Sequence, residues 1–300
     1  MLAAVPVVMF GLAEDLTRKV RPRYRMAAAV VSAMLASAYA DGIVPRLDLP
    51  LVDDLLKHMW FVLPLTWFLV AGACNAMNLI DGAHGLAGGT ALIMLGGIAL
   101  AAGWSGDPVT LTKTLVVMGA LVGFLCWNYP RGHVFLGDAG AYFIGFMYAE
   151  LSIQLVARNS GISAGYVIML AGYPIVDTLF AMYRRGVVRR VPLMAPDALH
   201  LHSLVFRRIA MPIERRQGSI DLARANARVA PRLWLHSVLC LALAVLLYDN
   251  TPALWLGLVA YTAFYLHRYR ELVLFRGRRA RRLGAAPLKG TSRVKRSNVL

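Results

Sequence analysis

Residues 59–80, Met-Trp-Phe-Val-Leu-Pro-Leu-Thr-Trp-Phe-Leu-Val-Ala-Gly-Ala-Cys-Asn-Ala-Met-Asn-Leu-Ile, contain no charge and end against Asp81-Gly-Ala-His84-Gly85. As a helix rising about 1.5 Å per residue, the run reaches roughly 33 Å, enough to cross a bilayer's hydrocarbon core. The same kind of run recurs at 26–40, 86–103, 109–129, 139–157, 162–182, 232–248 and 252–268. Most joins are brief, which forces neighbouring helices antiparallel. Met1–Ala13 is apolar too but reaches only about 20 Å, short of a full crossing. The sequence therefore predicts an all-α, polytopic transmembrane helical bundle of about nine spans, the first incomplete. Residues 1–268 are expected to form the membrane domain, with a long loop at 183–231, and residues 269–300 a basic tail without fixed structure.

Composition agrees and narrows the classes. A chain that is 58% hydrophobic and 16% charged, with mean hydropathy +0.57, is not a water-soluble globule. Its three cysteines, Cys74, Cys126 and Cys240, lie far apart in apolar runs, so neither a disulfide framework nor a zinc knuckle is available. The net charge of +16 would suit a nucleic-acid partner in a soluble protein, but here it sorts by topology. With alternating spans, 28 of the 32 Lys and Arg fall in one set of loops, leaving Arg46, Lys57, Lys113 and Arg158 on the other side. The positive-inside rule makes the first set cytoplasmic, and no nucleic-acid partner is expected.

Four polar clusters share that predicted cytoplasmic face. Asn75, Asn78 and Asp81, three residues apart, make an amide and carboxylate rim on one side of a helix end; the alternative is a helix cap and turn. Phe135-Leu-Gly-Asp138-Ala-Gly puts one carboxylate among glycines at a helix start, either an N-cap or a hard ligand of the kind Mg²⁺ takes, with Asn128 placed to support it. Glu14-Asp15 precedes Arg18, Lys19, Arg21, Arg23 and Arg25, as a salt-bridged headgroup loop or as a base beside phosphate-gathering cations. Pro196-Asp197-Ala-Leu-His200-Leu-His202 lies among Arg184, Arg185, Arg189, Arg190, Arg207 and Arg208, as a solvated loop or a phosphate site. The two histidines do not share a helical face, so an extended or irregular segment is expected there. Asp177 is expected to pair with a neighbouring helix.

In order along the chain, Gly11-Leu-Ala-Glu14-Asp15-Leu-Thr, Asn75-Ala-Met-Asn78-Leu-Ile-Asp81-Gly-Ala-His84-Gly85-Leu, Asn128 with Phe135-Leu-Gly-Asp138-Ala-Gly, Pro174-Ile-Val-Asp177-Thr-Leu, and Pro196-Asp197-Ala-Leu-His200-Leu-His202-Ser203-Leu resemble the polyprenyl-phosphate N-acetylhexosamine-1-phosphate transferases. This family includes the bacterial enzymes that start O-antigen and related glycans. The resemblance covers residues 11 to about 208. It implies transfer of sugar 1-phosphate from a UDP-N-acetylhexosamine to undecaprenyl (polyprenyl) phosphate with release of UMP, in the bacterial inner membrane and on its cytoplasmic side. It also implies catalytic roles for Asp15, Asp81 and Asp138, with Mg²⁺ at Asp138 and Mn²⁺ as the alternative ion. Substrate contacts are implied for Glu14, Asn75, Asn78, His84, Asn128, Phe135, Asp197, His200, His202, Arg184 and Arg185, with Phe135 stacking on uracil. A homodimer is compatible with this reading.

The chain departs from that family in four places. Glu14 replaces the first Asp of an adjacent pair, His84 the second acid of an Asp-Gly-x-Asp-Gly stretch, and Ser203 a further histidine. Relatives carry about two more helices before the acidic pair, so the frame is expected to start downstream of the true start or to encode a trimmed variant. Two rivals follow: an inactive homologue with a binding role, and a transporter using Asp81, Asp138 and Asp177 as pathway acids. Against the transporter, the acids lie at one face and no repeat of broken helices is visible.

Overall fold

A computed structural model describes residues 2–39, 42–192, 199–216 and 221–282, with side chains up to residue 274 apart from Arg216. No strand occurs among them. Helices stand at each expected place: α1 (Val5–Thr17), α2 (Pro22–Tyr39), the short α3 (Pro50–Leu56), α4 (Met59–Ile80), α5 (Leu86–Trp104), α6 (Pro108–Asn128), α7 (Gly137–Arg158), α8 (Ala164–Leu170), α9 (Gly172–Tyr183), α10 (Leu201–Val205), α11 (Met211–Arg216), α12 (Leu222–Ala227), α13 (Ala230–Leu246) and α14 (Thr251–Arg282). This is an all-α, multi-pass membrane protein. Among the described residues five helices are long and apolar enough to cross a bilayer, or six if one bent pair counts as a crossing. The count is lower than nine because α1 has only 13 residues and α2 and α14 carry charges within their length.

The expected single span at 162–182 is the bent pair. It breaks between α8 and α9 with a 74° change of direction. Pro174, in the first turn of α9, has no N–H to give the carbonyl of Leu170, and its ring crowds that carbonyl. The loop expected at 183–231 also carries structure. A π-helical turn covers Arg184–Val188, α10 and a second π turn at Phe206–Ala210 follow, and α11 and α12 lie before α13. The last helix continues past residue 268 to Arg282, so the expected start of the tail falls inside α14. Residues 283–300 lie outside the described residues.

The helix α7 is the centre of the bundle; fourteen of its residues are buried. Two glycines set how closely its neighbours approach. A Cβ on Gly11 of α1 would fall 2.5 Å from the Ala139 Cα and 2.6 Å from the Ala139 nitrogen, and one on Gly145 of α7 would fall 2.5 Å from the Cys74 Cα of α4. These are contacts with main chain, which cannot rotate aside as a side chain can.

The two ends of the bundle differ in charge. At one end, the four bases that the loop count set apart meet acids and carbonyls. Arg46 Nη2 donates to the carbonyls of Asn159 (3.1 Å), Ser160 (2.9 Å) and Ile162 (2.7 Å). Arg46 Nε also pairs with Asp48 at 3.0 Å, and the other oxygen of Asp48 accepts from the Ser163 hydroxyl and Ala164 N–H. Arg158 pairs with Asp107, which caps α6 through Thr110; Lys57 bridges to Asp54 and Lys113 donates to Gln154. The motif residues gather at the opposite, basic end.

The packing at Gly11 is open to test. Gly11→Ala should lower the thermal midpoint of the detergent-solubilised protein, at a cost on the order of 1–3 kcal/mol for forced overpacking. Gly119→Ala, where an added Cβ meets nothing within 4 Å, should leave the midpoint unchanged or slightly higher. Equal effects at the two positions would contradict the close approach of α1 to α7.

Candidate active site at the basic end of the bundle

The site begins with a helix start that cannot cap itself. Leu136, at the N-cap of α7, has no side-chain acceptor, and Asp138 does not serve as one. The capping carboxylate comes from α1: Asp15 Oδ1 accepts from the Asp138 N–H at 2.8 Å and Oδ2 from the Ala139 N–H at 3.0 Å. Gly137 makes room for it. Its φ of +67° is the left-handed region that favours glycine, and a Cβ there would sit 2.6 Å from Asp15 Oδ2. With the cap supplied by Asp15, the Asp138 side chain is left to other partners. Its Oδ1 accepts from Asn78 Nδ2 at 2.6 Å, and its Oδ2 pairs with the Arg25 guanidinium of α2. Both partners are largely buried, at 14% and 20% side-chain exposure, so the pair is shielded from solvent screening.

Asp81 follows Asn78 at the C-cap of α4. Burial first, and then the negative charge of Asp15, push its carboxyl up to about 7. Three carboxylates, Asp15, Asp81 and Asp138, therefore come from the ends of α1, α4 and α7 to one place. Glu14 turns elsewhere: its Oε2 accepts from the Val20 N–H at 2.7 Å and closes the turn after α1. Asn75 lies one turn before Asn78, and its side chain makes no hydrogen bond among the described residues.

The loop after Asp81 is held from three directions. Asn128 Oδ1 accepts from the Gly85 N–H at 2.5 Å while its Nδ2 donates to the Val134 carbonyl at 2.6 Å, which ties the loop to the approach of α7. Asn226 of α12 accepts from the His84 N–H at 2.6 Å, and Trp234 of α13 donates to the Gly85 carbonyl at 3.1 Å. His84 and Phe135 meet edge to face with centroids 5.7 Å apart, and Phe135 is 70% exposed.

A second cluster adjoins the first. His200 Nδ1 lies 2.9 Å from Asp177 Oδ2 and its Nε2 lies 2.8 Å from Arg185 Nη2. Tyr265 of α14 donates to Asp177 Oδ1 at 2.5 Å, so Asp177 does pair with a neighbouring helix. His200 has extended backbone at the start of α10, whereas His202, also expected in an irregular segment, is helical. The two rings nonetheless stack, with centroids 5.6 Å apart and planes 6° from parallel. Burial lowers the pKa of His202 to about 4, so it is neutral at pH 7. Its ring fills the space that a Cβ on Gly82 would need, and this joins the two clusters. Arg184 turns from Arg185 to lie over the rings of Phe180 and Tyr269 and donates to the Tyr269 hydroxyl at 3.0 Å. Asp197 lies outside the described residues.

The residues missed in the sequence are Asn226, Trp234, Tyr265 and Tyr269. Only the tyrosines had a signal: Tyr261, Tyr265 and Tyr269 recur every fourth residue and mark one helix face.

The donor chemistry at Asp138 suits a hard cation. Among the described residues no three His, Cys, Asp or Glu side chains could together hold a metal, so there is no all-protein cage of the kind zinc takes. Mg²⁺ needs only one or two carboxylates, and its remaining positions go to water and phosphate. The Arg25 guanidinium on Asp138 Oδ2 shows that this oxygen attracts positive charge.

Comparison with known proteins gives a consistent result. The model of glycosyl transferase family 4 matches residues 1–156. A Bacillus subtilis (strain 168) protein described as a probable undecaprenyl-phosphate N-acetylglucosaminyl 1-phosphate transferase is 35% identical over 156 residues, covering 52% of this chain and 43% of that protein. A Thermotoga maritima undecaprenyl-phosphate alpha-N-acetylglucosaminyl 1-phosphate transferase is 30% identical over 211 residues, 69% of this chain and 61% of the relative. An Oceanobacillus iheyensis phospho-N-acetylmuramoyl-pentapeptide-transferase is 38% identical over 145 residues, 48% and 43% of the two chains. The chain thus spans about half the length of the curated relatives it matches.

The raised pKa of Asp81 gives a signed prediction. Because its native value of about 7 lies above the value near 3.9 of an unfolded Asp, the folded chain holds an extra proton between them. The associated stability is complete below about pH 4 and is lost as pH rises through 7. Asp15→Asn removes the repulsion, so the infrared band of the protonated Asp81 carboxyl should titrate at lower pH than in the parent protein. A midpoint that does not move would contradict the electrostatic link between the two residues.

Proposed function

Because the chain belongs to glycosyl transferase family 4, we propose that it transfers N-acetylhexosamine 1-phosphate from a UDP-sugar to undecaprenyl or another polyprenyl phosphate and releases UMP. The observation that carries this reading is the meeting of Asp15, Asp81 and Asp138 from three helix ends beside Arg25 and, through Gly82 and His202, the Arg185 cluster. Two polyanionic substrates need such a mixture: cations to neutralise phosphate, and carboxylates to hold a metal and orient groups.

In the transfer, an oxygen of the lipid phosphate forms a bond to the β-phosphorus of the UDP-sugar. The bond from that phosphorus to the bridging oxygen breaks, and the electron pair leaves with UMP. Asp138 would hold Mg²⁺, or Mn²⁺ in its place, and the bound ion supplies charge neutralisation on the diphosphate and the departing UMP. Asn78 orients the Asp138 carboxylate. Asp15 fixes the start of α7, so that the Asp138 backbone and side chain stand in one register. Arg25 neutralises Asp138 and is placed to take a phosphate oxygen instead. Phe135, exposed beside His84, offers a face for uracil. The basic end faces the cytoplasm of a bacterial inner membrane, where UDP-sugars are soluble and the lipid phosphate lies in the leaflet. The product would start a cell-surface glycan such as O-antigen.

The test is UMP release by purified protein supplied with polyprenyl phosphate and a panel of UDP-N-acetylhexosamines, with and without Mg²⁺. Turnover should require the ion and should fall on the order of 100-fold or more in Asp138→Asn, as expected when several kcal/mol of charge stabilisation are lost. No UMP from any donor, or undiminished turnover in that variant, overturns the reading.

A further inference from the structure

Asp177 and Tyr265 stand apart from the carboxylates assigned above, and both lie beyond the stretch matched by the family model. Asp177 is only 1% exposed, yet both its oxygens are engaged. Oδ2 faces His200 Nδ1, while Oδ1 accepts from the Tyr265 hydroxyl at 2.5 Å and the Leu201 N–H at 3.4 Å.

The chemistry of the flanking groups fixes the state of the ring between them. An ionised carboxylate only accepts hydrogen bonds, so Nδ1 of His200 must carry the proton it donates. A guanidinium only donates, so Nε2, 2.8 Å from Arg185 Nη2, must present its lone pair. His200 is thereby held as one neutral tautomer, protonated at Nδ1. A second proton on Nε2 would set donor against donor.

We infer that Asp177 and Tyr265 are positioning residues: they lock His200 in this tautomer, and His200 in turn aims the Arg185 guanidinium at a phosphate of the substrates. The role given to Arg185 rests on the transfer reading above; the lock on His200 does not. His200 then works as a connector and not as a proton acceptor or a cationic ligand. The assignment also separates two adjacent arginines. Arg184 is packed against Phe180 and Tyr269 as part of the seam to α14, and Arg185 is held on the side of the histidines and Gly82.

The test uses the full chain in lipid nanodiscs with ¹⁵N-labelled histidine. The parent should show His200 protonated at Nδ1 and bare at Nε2. Asp177→Asn, whose amide can donate as well as accept, should lose that single tautomer. It should also raise the KM for a phosphate substrate about 10- to 100-fold, the range for losing a hydrogen bond to a charged group, with a much smaller change in kcat. Tyr265→Phe keeps the shape of the core and should raise the same KM about fivefold, so the idea stays open to refutation if the Asp177 variant fails to fold. Measuring KM separately for the UDP-sugar and for the polyprenyl phosphate identifies which phosphate Arg185 takes. A parent His200 that is bare at Nδ1 or doubly protonated overturns the inference, as do variants that leave both the nitrogen shifts and KM unchanged. The nitrogen shifts report the tautomer whether or not UMP is released, so failure of the transfer reading and failure of the lock are separate results.

Discussion

The Asp15 carboxylate on the Asp138 and Ala139 N–H groups, in the first turn of α7, is the contact on which the rest of the basic end depends. The start of a helix leaves amide hydrogens unpaired and carries partial positive charge, and a carboxylate there contributes about 0.5–2 kcal/mol. Most helices find this acceptor within their own chain segment. Here it arrives from a residue more than a hundred positions earlier, through a gap that exists because Gly11 and Gly137 lack side chains. The consequence reaches beyond stability. Freed from capping, Asp138 turns its two oxygens to Asn78 and Arg25 and so ties α4 and α2 to the same point. One cap thus registers four helices.

The basic charge acquires a local meaning in this setting. Burial, and after it the negative charge of Asp15, raise the pKa of Asp81 where the carboxylates come together. Arg25 offsets one of them from inside the cluster, and Arg185 faces the adjoining histidines. The bases on this side therefore allow acids to be concentrated there.

Much of this was legible from the residues, for identifiable reasons. A long apolar run with few or no charges reads as a membrane-spanning helix, so α4 and α5, which carry none, and α6 and α7, which carry few, were plain. Asp81 and Asp138 stood out because carboxylates among glycines at helix ends are rarely accidental. The partner of each group was harder to foresee. Asp138 read equally as a cap or a ligand, and only the approach of α1 decides that Asp15 is the cap. Pro174 carried the bend between α8 and α9, but the apolar composition of 162–182 masked it. Asn226 and Trp234 were silent because an amide in an arginine-rich loop and a tryptophan at a helix start have many ordinary uses. Their hold on the His84–Gly85 backbone comes from 142 and 149 positions away.

The opposite end of the bundle matters for how the basic end works. One nitrogen of Arg46 gathers three carbonyls from the turn between α7 and α8, and Asp48 takes the first amide of α8, while Asp107 and Arg158 fasten α6 to α7 beside them. With α6, α7 and α8 fastened there, the spacing of the other helix ends, where Asp138, Asp81 and His200 stand, is left to the cap, the salt bridge and the stacked rings.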